Sequence, residues 1–122
     1  MHEKSYGSVK VFESDVASVQ KALSSYTEEL SRRKEVLGVW LIGSYHRQDF
    51  TPFSDADVVI VVKSSEKRFI DRYSEYAPDA LSVPLDIFVY TIEEVEEMRR
   101  SGHSFWKEIE QNHTTLFQRD NF

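Results

Sequence analysis

The hydrophobic residues of this chain gather in short runs separated by polar segments that are rich in turn-forming residues. Residues 36–42, 58–62 and 84–90 form three such runs, in which valine and isoleucine are frequent. Runs of this length and composition are typical of buried β-strands. The pattern predicts a sheet, to which residues 9–12 add a short edge strand. Residues 115–118 are expected to form a last strand or an arm.

Helical periodicity is found before the first run and after the second. An apolar stripe with three- and four-residue spacing predicts an amphipathic helix over residues 15–35, with Ser14 as its N-cap. The stripe consists of Val16, Val19, Leu23, Tyr26 and Leu30. A second helix is expected over residues 65–76, ending before Pro78.

Two further helices are expected after the third run. Thr91 and Glu94 have the spacing of a capping box, which predicts a helix that ends at Gly102. Ser104 is expected to cap a short fourth helix. The side chains expected to point inward from that helix are Phe105, Trp106 and Ile109.

The order of these elements favours an α/β fold of the α+β type, in a single domain over residues 1–122. We expect a mixed sheet with the helices packed mainly on one face. Side chains alternate along a strand, so Asp55, Asp57 and Val59 would share the other face. That face would be an open cleft that carries the carboxylates.

A Gly-Ser pair and three aspartates carry the candidate chemistry. Gly43 and Ser44 follow the first apolar run, and Asp55 and Asp57 stand just before the second. On a strand these two carboxylates would lie roughly 6 to 7 Å apart on one side, where they repel unless a cation lies between them. Asp86 is the single charge in the third run, and a buried carboxylate also requires a partner or a metal. The pattern indicates a metal site beside a phosphate-binding turn.

These motifs also have purely structural interpretations. A strand terminator explains Gly43, a helix N-cap explains Ser44, and a solvated turn explains Asp55. An N-cap is itself a place where phosphates bind, so the two interpretations of Ser44 are compatible.

The combination resembles the polymerase-beta-like nucleotidyltransferase superfamily. The resemblance rests on the Gly-Ser pair, the Asp-x-Asp motif after ten intervening residues, and the lone aspartate on a later strand. It covers residues 36–90, and the short chain is similar to the minimal nucleotidyltransferase branch, whose members are antitoxin-like.

The resemblance implies a metal-binding role for the acids. Asp55 and Asp57 would bind two divalent ions, Mg²⁺ or Mn²⁺, and Asp86 would help to bind the ion at the attacking hydroxyl. Nucleotidyl transfer relies on positioning and charge neutralisation, which two such ions supply to the triphosphate of ATP.

The resemblance also implies a phosphate-binding role for the turn after the first run. Gly43 and Ser44 would contact the triphosphate of the nucleotide. Arg47 matches a basic position of the family, but Gln48 stands where relatives commonly have glycine. This departure concerns the backbone shape of the loop and the role of Arg47.

A reaction and a partner follow from the same resemblance. The chain would transfer a nucleoside monophosphate, AMP from ATP, to a hydroxyl group. Members of the minimal branch pair with HEPN-type RNase toxins and adenylylate them, so we expect a protein partner of that type, or self-association. Two alternatives are a non-catalytic module that binds nucleotide or inhibits a partner by contact, and a small-molecule nucleotidyltransferase.

Composition narrows the partners further. The net charge of −6 and the lack of an extended basic cluster argue against long nucleic acid as the substrate. The absence of cysteine excludes a disulfide framework and a thiolate zinc site. No segment has the apolar length of a signal peptide or membrane span, so we expect a cytoplasmic protein without membrane association. His103 and His113 are expected at the surface rather than on zinc.

Overall fold

The described part of the chain forms one four-stranded sheet with helices packed on it. A computed structural model describes residues 8–43, 56–78 and 85–119. The elements in these ranges are helix α1 (Ser8–Ser31), strands β1 (Val36–Ile42) and β2 (Ala56–Val62), a 3₁₀ turn (Phe69–Asp71), helix α2 (Tyr73–Tyr76), strand β3 (Leu85–Thr91), helices α3 (Ile92–Ser101) and α4 (Ser104–Gln111), and strand β4 (Thr114–Gln118).

The sheet is mixed, with the strand order β3-β2-β1-β4. Strand β1 is antiparallel to both of its neighbours, β2 and β4, whereas β2 and β3 are parallel. The expected mixed sheet of an α+β fold is thereby confirmed. The predicted strands over the three long apolar runs and over residues 115–118 are all present.

Side-chain alternation along the strands divides the core into two layers. Val58, Ile60 and Val62 point to one face, where α1 covers them, and Val59 and Val61 point to the other, where α3 and α4 cover them. Helices therefore cover both faces, whereas the sequence led us to expect them mainly on one. Both rows of the strand are apolar, and each row needs its own cover to leave water.

Helix α1 begins earlier than its apolar stripe suggested. Residues 9–12, expected as an edge strand, lie inside α1, and Ser14 lies within the helix rather than at its N-cap. Phe12 stands four residues before Val16, and Val9 three before Phe12, so both continue the helical spacing of the stripe. No helix within the described ranges has the length and apolar character needed to span a membrane.

The segment between β2 and β3 is less helical than predicted. The expected helix over residues 65–76 is reduced to a 3₁₀ turn and the single turn of α2. The reason lies in Arg72, whose side chain is buried and donates hydrogen bonds to the carbonyl oxygens of Lys67 and Val89. These bonds hold the segment in a bend around the outer edge of β3.

Helix α3 has the ends that the sequence predicts. The Thr91 hydroxyl accepts a hydrogen bond from the Glu94 N–H at 3.1 Å, and the Glu94 carboxylate accepts one from the Thr91 N–H at 2.9 Å. Gly102 ends the helix with a φ of 71°, in the left-handed region that favours glycine. The capping box and the glycine C-cap are both confirmed.

Helix α4 differs from the prediction at its start. The N-cap is His103 rather than Ser104, and its Nδ1 accepts from the N–H of Trp106. Trp106 and Ile109 are buried as expected, but Phe105 is exposed. Trp106 and Ile109 are three residues apart and share the inner side of the helix, which directs the side chain of Phe105 away from it.

Candidate active site

Asp57 and Asp86 lie side by side at the end of the sheet where β2 and β3 begin. The two residues are paired in the register of these parallel strands, so their side chains share one face. Neighbouring strands are about 4.8 Å apart. Asp57 is half-buried and Asp86 is exposed. The parallel pairing of β2 with β3 thus brings Asp86 beside Asp57.

Gly43 contacts Asp57 from the side opposite Asp86, at the end of β1. Strand β1 ends at Ile42, which pairs with Asp57, and Gly43 follows with a φ of 76°. A Cβ atom at position 43 would lie 2.6 Å from Oδ2 of Asp57, closer than real Cβ contacts allow. Only glycine therefore fits, both for its backbone conformation and for the space that the carboxylate occupies.

This arrangement suits a hard divalent cation. Two adjacent carboxylates repel each other, and an ion such as Mg²⁺ prefers oxygen ligands. Asp55, the remaining predicted ligand, lies outside the described residues, as do Ser44 and Arg47. Among the residues that are described, no group of three or more His, Cys, Asp or Glu could hold a metal ion. The described part of the site thus contributes two oxygen-donor side chains.

The sequence did not reveal an ion pair that ties the bend before α2 to α3. Arg72 donates from Nη1 and Nη2 to the Glu94 carboxylate at 2.6 and 3.0 Å, and Nη1 also reaches the carbonyl of Val89 at 3.1 Å. The hydrogen bonds from Arg72 lower the pKa of Glu94, against an opposing effect of burial. Glu94 was predicted only as a capping residue, and no local pattern marks Arg72 as its partner.

His113 also has a structural environment that the sequence did not predict. Its ring stacks on Trp40 with the centroids 4.2 Å apart, and its Nδ1 lies 2.8 Å from the carbonyl oxygen of Ile109. Trp40 in turn contacts Trp106. His113 is half-buried and joins the end of α4 to β1, so the expected surface role is wrong.

Sequence comparison identifies the class of protein to which these features belong. A family profile described as a nucleotidyltransferase domain matches residues 23–116. The match extends from α1 to β4 and covers most of the chain, so the chain belongs to the nucleotidyltransferase domain family. No curated protein matches the chain.

One of two similar solved structures shows the same fold. A crystal structure of a candidate nucleotidyltransferase from Sulfolobus solfataricus is similar over 98% of this chain and 95% of that one, with a TM-score of 0.64 and 18% identity. A toxin-antitoxin structure with AMP-PNP overlaps 80% of this chain and 75% of that one, with a TM-score of 0.46 and 12% identity. The second overlap is too low to establish a common fold.

Proposed function

We propose that this chain is a metal-dependent nucleotidyltransferase that moves a nucleoside monophosphate, AMP from ATP, to a hydroxyl group of a protein partner. The observation that carries the proposal is the in-register pair Asp57 and Asp86 beside Gly43. Paired carboxylates attract a cation, and a residue without a side chain lets the backbone approach a phosphate. Both features are needed where a metal-bound triphosphate has to be held.

The aspartates would share the metal ions. Asp55 and Asp57 would hold two ions, Mg²⁺ or Mn²⁺, together with the triphosphate, and Asp86 would hold the ion on the side of the attacking hydroxyl. Bound ions supply neutralisation of the phosphate charge and lower the pKa of the hydroxyl. Gly43, Ser44 and Arg47 would position the phosphates.

The proposed reaction exchanges one phosphorus–oxygen bond for another. The acceptor oxygen bonds to the α-phosphorus as the bridge between the α- and β-phosphates breaks, and pyrophosphate leaves with that electron pair. The hydroxyl proton passes to the carboxylate of Asp86, which is exposed and can release it to water.

We further propose that the chain belongs to the minimal branch and acts in the cytoplasm as the antitoxin of a HEPN-type toxin. This narrower proposal is supported by the sequence resemblance to the minimal branch, whose members act on a protein partner.

Labelled ATP distinguishes the proposal from its alternatives. The chain is incubated with Mg²⁺ and an extract of its source cells, with ATP labelled on either the α- or the γ-phosphate. We expect protein to acquire the α label but not the γ label, and Asp57→Asn to abolish the labelling. Label found only in small molecules would indicate a small-molecule transferase. No label at all, with equal inhibition of a partner by both proteins, would indicate a binding module.

A further inference from the structure

The exposed large hydrophobic side chains lie along one edge of the sheet. Within the described residues they are Phe69, Ile70, Tyr73 and Phe105, which are 44%, 75%, 47% and 43% exposed. Three of them follow one another closely in the bend around the outer edge of β3. Single exposed hydrophobic residues are ordinary, whereas contiguous ones mark interaction surfaces.

Two aromatic residues of β3 join these side chains into one surface. The ring of Phe69 lies 5.1 Å from that of Tyr90, and the ring of Phe105 lies 6.4 Å from that of Phe88. We name Phe69, Ile70, Phe88, Tyr90 and Phe105 the apolar strip. Phe88 and Tyr90 lie on the face of β3 that carries Asp86, whereas Ile87 and Val89 are buried on the other face. Phe88 stands two positions after Asp86, so the strip begins next to that acid and extends over about 7 Å of strand.

The edge beneath the strip is not available for strand addition. The guanidinium of Arg72 donates to the carbonyl oxygen of Val89, in the middle of β3. Helix α2 packs against the same strand. A partner would therefore dock through side chains on the apolar strip rather than by pairing its backbone with β3.

Charged residues of both signs lie beside the strip. Glu93, Glu94 and Glu96 line a cavity of about 350 Å³ together with Lys63 and Arg72, so the carboxylates outnumber the cations there by three to two. The whole chain is acidic, with a net charge of −6. A second copy of the chain would carry the same net negative charge, whereas a partner with a basic rim would be complementary to it.

We propose that the apolar strip is the docking surface for the acceptor protein, which presents an apolar patch with a rim of lysine or arginine and places its hydroxyl at Asp86. This inference rests on the proposed transfer function. It is carried by the continuity of the strip with Asp86 and by the net negative charge of the chain.

Two lysine substitutions test the docking surface. Ile70→Lys places a positive charge at the most exposed position of the strip. Thr115→Lys is the matched control, because it adds the same charge at an exposed position on β4, at the opposite edge of the sheet. Both variants and the wild-type chain are compared by α-label transfer from ATP to extract protein, by calorimetric titration with Mg²⁺ and ATP, and by light scattering for the molecular mass.

We expect Ile70→Lys to slow protein labelling about tenfold while Thr115→Lys labels as the wild type does, with equal ATP affinity in all three proteins. Equal labelling by all three would overturn the docking surface and leave the transfer function intact. A wild-type chain that binds ATP with Mg²⁺ but labels no protein would overturn both. A wild-type dimer that Ile70→Lys converts to a monomer would assign the strip to a second copy instead.

Discussion

At the scale of single residues, the positions of Gly43 and Asp57 depend on each other. The carboxylate of Asp57 occupies the space where a side chain at position 43 would begin. Gly102 offers a useful contrast, because its φ of 71° is close to the 76° of Gly43, yet a Cβ there would meet nothing within 4 Å. Substitution of Gly102 would therefore cause backbone strain alone, whereas substitution of Gly43 would also displace the carboxylate of Asp57.

The first prediction uses this contrast. Gly43→Ala and Gly102→Ala should each lower the free energy of unfolding by about 1 kcal/mol, because alanine is strained in the left-handed region. Only Gly43→Ala should also displace the Asp57 carboxylate and weaken Mg²⁺-dependent ATP binding, by tenfold or more. Urea unfolding and calorimetric titration measure the two effects. Equal ATP affinity in both variants would contradict the assignment of Gly43 to the site.

The second prediction separates the two aspartates. Asp57 lies against Gly43, on the side proposed for the nucleotide, and Asp86 is one strand further away and exposed. Asp86→Asn should retain metal-dependent ATP binding and reduce AMP transfer about a hundredfold or more, whereas Asp57→Asn should lose both. Titration and α-label transfer test this division. It is wrong if the two variants lose ATP binding to the same degree.

At the scale of elements, the sequence predicts those helices and strands whose formation depends on residues that are close in the chain. The apolar runs of β1, β2 and β3 and the capping box of Thr91 and Glu94 depend on neighbours in the chain, and all were predicted correctly. The alternation that places Asp57 with Val59 was also sufficient to place Asp86 beside it once the strands paired. The division of the helices between two faces could not be predicted in this way. Periodicity shows that a residue is buried but not which helix covers it.

Long-range partners are the second kind of feature that local patterns missed. Arg72 meets Glu94 across 22 positions of the chain, and the bend that replaces the predicted second helix depends on that contact. His113 reaches Trp40 over an even longer separation. Nothing in the residues around either partner specifies such contacts, because the fold has to form before the side chains meet.

The third prediction concerns the contribution of the ion pair between Arg72 and Glu94 to the stability of the fold. Glu94→Gln should lower the free energy of unfolding at neutral pH by about 2 kcal/mol, because it leaves the buried Arg72 cation without a counter-charge. Glu97→Gln is the control. The exposed pair that Glu97 makes with Arg100 is worth less than about 1 kcal/mol.

The pH dependence provides an independent check of the same pair. The pKa of Glu94 is lowered in the folded protein, so the stabilising charge is complete above the ordinary glutamate pKa of about 4.3 and is lost as the pH falls through the folded value. The difference between wild-type and Glu94→Gln proteins in urea unfolding should therefore narrow below about pH 4. A difference that stays constant down to pH 2 would show that packing, not charge, holds the segment.

At the scale of the whole molecule, the net negative charge of the chain opposes the binding of the anionic nucleotide that the proposed reaction requires. A chain with a net charge of −6 repels a triphosphate, and the two aligned aspartates strengthen that repulsion at the place proposed for the nucleotide. Binding therefore requires positive charge that the described side chains of the site do not supply. Divalent ions held by the carboxylates would supply it.

The last prediction follows from this balance of charge. ATP should bind the wild-type chain at least tenfold more tightly with Mg²⁺ or Mn²⁺ than with EDTA, because a divalent ion offsets the repulsion between the triphosphate and the aspartates. Asp57→Asn should lose most of the metal-dependent gain, and in EDTA it should bind ATP no worse than the wild type, since it removes one repelling charge. Glu97→Gln removes the same charge from an exposed pair on α3 and serves as the control for net charge. Equal ATP affinity with Mg²⁺ and with EDTA in the wild type would exclude a metal site at Asp57 and Asp86.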